Sequence, residues 1–97
     1  ARIDITGGIN RPPLEKSATQ ELYEKSQVVA RRIGMGELGS AVVGGASDGN
    51  FAGIHTQVLD GLGAVGDGAH ATYEHVLASH LIPRTTLLHE LVKEILK

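Results

Sequence analysis

The chain contains no cysteine and no tryptophan, and its only aromatic residues are Tyr23, Phe51 and Tyr73. Without cysteine there is neither a disulfide nor a thiolate metal site, so redox state leaves no mark and cytoplasm and periplasm both stay open. With so few aromatics, a core must be assembled from Leu, Ile, Val and Ala. Basic runs are missing as well: Arg31 and Arg32 form the only adjacent basic pair. A net charge of -2 and a pI near 6.2 argue against nucleic acid and anionic membrane as partners. No apolar run reaches the length of a membrane span. No secretory leader is visible, but the first residue is Ala rather than Met, which reads as a trimmed or excised piece. At 97 residues, the chain is long enough for one thin-cored domain or for part of a larger one.

What the chain does have is glycine, and unevenly. Eleven of its thirteen glycines fall between Gly34 and Gly68. The flanks are more regular. "ARIDIT" alternates Ile3 and Ile5 with Arg2 and Asp4, the pattern of a half-buried strand. "GGINRPPLEKSA" reads as a loop. "SATQELYEKSQVVARRI" carries Ala18, Leu22, Val29 and Ile33 at helical spacing, with Ser17 as the expected N-cap and "GMGELG" as the stop.

"SAVVG" and "QVLDGLG" then read as short buried strands, separated by a "GGASDGN" turn that opens a short helix. "SHLIPRTTLLHELVKEILK" pairs Leu87, Leu88, Leu91, Val92, Ile95 and Leu96 in the manner of an amphipathic helix, with Pro83 in its first turn. The order β-α-β-α-β-α predicts an α/β fold with a mostly parallel sheet and helical crossovers. Ligands of such sheets gather at the carboxyl ends of the strands, which would bring "GGASD" and "GDGAH" to one rim.

Three features of that rim carry chemistry. Glycines ahead of a helix can present N–H groups to an anion, although Ser47 or Asp48 would equally serve as a helix cap. His70, flanked by small residues, suits a zinc ligand or a hydrogen-bonded loop histidine. Arg11, on a loop stiffened by Pro12 and Pro13, has the planar fork that grips carboxylates, or it is a solvated surface arginine. From the residues alone, no site is complete.

Taken in order, "NRPPLE", "GGASDGNF", "LDGLGAVGDGAH", "EHV" and "IPRTTLL" resemble the C-terminal part of the dinuclear zinc amidohydrolases. That family includes glutamate carboxypeptidases of the carboxypeptidase G type, acetylornithine deacetylase and succinyl-diaminopimelate desuccinylase. The resemblance spans nearly the whole chain and is nearest to the glutamate carboxypeptidase-like branch. It implies that residues 1–16 form the last strand of an inserted lid or dimerisation domain and the crossing from it. Residues 17–97 would be the second half of the catalytic domain.

The resemblance also implies roles. His70 would bind the second of two zinc ions, and Arg11 would hold the substrate carboxylate. Gly44 and Gly45 would line the substrate pocket, with Asp48 structural at the same turn. The general base and the other zinc ligands are expected upstream, so no catalytic residue is expected here and the isolated chain is expected to be inactive. The implied substrate is a peptide or N-acyl amino acid with a free carboxylate, and a homo-oligomer is expected. "FAGIHTQVLDG" departs from the family pattern: it is one residue short and has His55 and Gln57 where glycine and proline usually stand. The competing reading is a small non-catalytic α/β module that binds an anion at "GGASDGN" or pairs with another chain.

Overall fold

A computed structural model describes all 97 residues. The regular elements are α1 (Gln20–Arg32), α2 (Gly49–Ala52), β1 (Gly66–Asp67), β2 (His75–Val76) and α3 (Leu81–Ile95). One-turn 3-10 segments, Lys16–Ala18 and Ala78–His80, lead into α1 and α3.

α1 and α3 form the organising pair. Val29 and Ala30 of α1 meet Leu87 and Leu91 of α3, and these four apolar residues are the whole buried core. Ile33, Met35, Leu38, Leu59 and Leu62 close over its edges. Outside this contact Arg32 clips the helices together, 3.1 Å from Glu94 and 3.8 Å from Glu90.

The end of α1 follows from one glycine. Gly34 takes φ +83°, its N–H reaches the Arg31 carbonyl at 3.1 Å, and the Met35 N–H reaches the Ala30 carbonyl at 2.8 Å. This is the paired 5→2 and 6→1 closure of a Schellman motif, and it tucks Met35 against the core. At the other end, Ser17 lies inside the 3-10 turn. Thr19 occupies the cap position and makes no side-chain cap bond.

The expected parallel β-α-β-α-β-α sheet is not formed. Helix covers 39% of the chain, and the only sheet is the antiparallel pair β1–β2, with Gly66 opposite Val76 and Asp67 opposite His75. "ARIDIT" pairs with nothing and is exposed, Ile3 at 83% and Ile5 at 91%, so the expected strand is not formed. "SAVVG" is likewise unpaired.

Two physical reasons account for this. A parallel ladder needs a crossover helix long enough to return alongside the first strand, and four-residue α2 rises only about 6 Å. The backbone groups of the other segments are also claimed elsewhere. The Gln27 side chain takes both the N–H and the carbonyl of Leu38, and the Val58 N–H goes to the Ala18 carbonyl.

Candidate carboxylate-binding site

Three stretches far apart in sequence are drawn together around Arg11. The Arg11 Nη1 group donates to the Ser47 carbonyl at 2.9 Å, and Nε donates to Asn10 Oδ1 at 3.0 Å. The guanidinium carbon sits 4.4 Å from the centre of the Phe51 ring. Asn50 locks the arrangement from behind: its Nδ2 donates to the Pro12 carbonyl at 2.9 Å, and its Oδ1 accepts from the Ser47 N–H at 3.0 Å. The Ser47 hydroxyl donates to Asp60 Oδ2 at 2.9 Å and accepts from the Gly49 N–H at 3.1 Å. Residues 10–12, 47–51 and 60 thus share one hydrogen-bonded hub.

The magnitudes favour a held arginine over a waving one. A hydrogen bond from a charged donor contributes about 1.5–3 kcal/mol, and a partly exposed cation–π contact adds about 0.5–1 kcal/mol. Ordering an arginine side chain costs up to about 2 kcal/mol. The guanidinium carries five N–H donors. Nε and Nη1 spend one each, so the remaining donors can still receive a carboxylate in fork geometry.

Gly44 and Gly45 lie just before Ser47 and are exposed. A Cβ on either would meet nothing within 4 Å, and neither has a positive φ. Neither packing nor backbone conformation in this chain therefore requires glycine there, and the space in front of them is open to an approaching group. Asp48 contributes through its backbone, its carbonyl accepting from the Phe51 N–H at 3.1 Å and the Ala52 N–H at 3.2 Å. With only one turn, α2 offers little helix dipole to an anion.

His70 stands elsewhere, on the loop joining β1 to β2. It is exposed and held at φ 65° in a turn that the Ala71 N–H closes on the Gly68 carbonyl at 2.8 Å. Gly68 is obligatory for this loop. Its φ is +75°, and a Cβ there would lie 2.6 Å from Tyr73 Cδ2. The β1–β2 hairpin packs against no other helix or strand, so the fold does not carry His70 to the Arg11 hub.

No three His, Asp or Glu side chains converge closely enough to hold a metal ion. Zinc takes three or four protein ligands, and the residues of this chain do not by themselves fit a zinc site.

Ser47, Asn50 and Phe51 are the members of the hub that sequence reasoning did not assign to Arg11. The signal was present in "SDGN", because Ser and Asn side chains at a turn characteristically bond nearby backbone. What that signal lacks is the partner, 36 residues upstream. No family model, curated protein or solved structure matches the chain.

Proposed function

We propose that this chain supplies the carboxylate-holding part of a zinc-dependent hydrolase. The reaction is cleavage of an amide bond beside a free amino-acid carboxylate, as in glutamate carboxypeptidases. The observation that carries the reading is the docking of Arg11 on the Ser47 carbonyl, 2.9 Å across a sequence separation of 36. It joins "NRPP" to "GGASDGN", two motifs whose resemblance to the zinc amidohydrolases assigns them to substrate recognition.

In this reading Arg11 grips the substrate carboxylate with its uncommitted N–H groups, and Gly44 and Gly45 let substrate approach the backbone. His70 is the chain's one contribution to a metal shell completed by residues outside it. The general base also lies outside, so the 97 residues bind but do not hydrolyse.

The test is a titration of the chain with N-acetyl-L-glutamate, followed at the Gly44 and Gly45 backbone amide signals, which wild type and variant share. Arg11→Ala is expected to abolish a saturable response that the wild type shows, with the core resonances of Val29 and Leu87 unchanged. Equal binding by both proteins would refute the assignment.

A further inference from the structure

We propose that Asn50 and Phe51 are positioning residues that mount Arg11 and set the direction of its free N–H groups. The inference rests on the carboxylate reading for its purpose, but its geometry stands apart from it. Asn50 is the only side chain that bonds both backbones flanking Arg11, the Pro12 carbonyl on one side and the Ser47 N–H on the other. It thereby fixes the distance between the segment that carries Arg11 and the carbonyl that receives Nη1. The adjacent Phe51 lies under the guanidinium at 4.4 Å and fixes its plane. Planes and edges decide bidentate recognition, since both N–H groups of a fork must point at one carboxylate.

Neither residue belongs to the core. Phe51 remains 41% exposed although it is the only phenylalanine in the chain. Its ring face meets the Arg11 guanidinium, which gives this partly exposed aromatic a role beyond burial. Asn50 is half-buried, and its amide matches one acceptor with one donor, a pairing that Ala lacks altogether and the longer Gln would overshoot.

The experiment uses the full 97-residue chain, with the Arg11 Nε–H resonance as one readout and N-acetyl-L-glutamate affinity as the other. In the wild type, the Phe51 ring current and the two hydrogen bonds should shift that resonance from its free-arginine position and slow its exchange with water. Phe51→Leu and Asn50→Ala are each expected to return it toward the free position and to weaken probe binding about tenfold. Phe51→Tyr, which keeps the ring face, should restore both. Methyl signals of Val29 and Leu87 report whether each variant is folded, and exposed Phe51 keeps the test usable should Asn50→Ala unfold.

If folded variants leave the Arg11 resonance at its wild-type position, the mounting role is overturned. If the resonance collapses in the variants while even the wild type ignores the probe, the mount stands and the carboxylate reading falls.

Discussion

Gln27 does in this protein what a neighbouring strand would do in a sheet. It is 9% exposed, and its Oε1 accepts from the Leu38 N–H at 2.8 Å while its Nε2 donates to the Leu38 carbonyl at 2.7 Å. The same Nε2 lies 2.7 Å from the Tyr23 hydroxyl, which itself donates to the Leu38 carbonyl at 2.8 Å. A buried amide so well matched costs little to keep and much to lose. Gln27→Ala should strip the Leu38 N–H of its partner and lower stability by about 1–3 kcal/mol, read as a fall in the urea midpoint at constant slope. A midpoint within error of wild type would mean that Leu38 finds water instead. Nothing in the sequence separates Gln27 from an ordinary surface glutamine. Its role depends on Leu38 returning eleven residues later, and Arg11 likewise becomes a site residue only when Ser47 arrives.

At the scale of elements, what was legible was what is locally determined. The helical spacing of Ala18, Leu22, Val29 and Ile33, the glycine stop at Gly34 and the apolar pairs that follow Pro83 each act within a few turns, and α1 and α3 formed where they predict. The strands were misread because alternation in "ARIDIT" and the apolar run in "SAVVG" encode extended backbone without naming a partner. The short α2 and the Gln27–Leu38 pairing remove the partners a parallel sheet would need. The strands that do form, Gly66–Asp67 and His75–Val76, lie where none was expected and pair with one another, because seven residues suffice to close a hairpin.

The Arg32–Glu94 arm of the α1–α3 clip should weaken in acid. Hydrogen bonds from Arg32 and Lys97 hold the Glu94 carboxyl below its usual value of 4.5. Partial desolvation pushes Glu90 upward, and the charges of Lys93 and His89 outweigh it to leave this group lowered too. Depressed carboxylates stabilise the fold above their unfolded pKa and lose that contribution as pH falls through the folded value. Thermal scans should therefore show Tm level above pH 4.5 and falling below it, with Glu94→Gln reducing the fall. Both groups are solvent-accessible, so the effect is small. An acid slope unchanged in Glu94→Gln would assign it to other groups.

The whole molecule is more open than its mass requires. Its accessible surface is 7641 Å², whereas a compact monomer of 10.2 kDa exposes about 5,300 Å². Its radius of gyration is 16.7 Å, where a compact domain of this length has about 13 Å. Part of the excess is apolar: Val42 is fully exposed, Ile82 is 79% exposed, and Leu88 and Val92 are nearly half exposed. Surface of this kind recruits partners, and we propose that the chain self-associates through it. Sedimentation velocity should show a weight-average mass that rises with concentration. A constant 10.2 kDa species across a hundredfold range would refute that.

Whether or not the chain self-associates, the central claim, that Arg11 is a carboxylate receptor mounted on the 47–51 turn, is decided at the hub itself. The most direct measurement is the N-acetyl-L-glutamate titration, run beside the dimethyl ester of the same compound, which keeps its backbone and carbonyls but has no carboxylate. The account predicts saturable shifts at the Arg11 side chain and at the Gly44 and Gly45 amides with the acid, none with the ester, and none with either compound in Arg11→Ala. Identical responses to acid and ester, or shifts that survive Arg11→Ala, would contradict it.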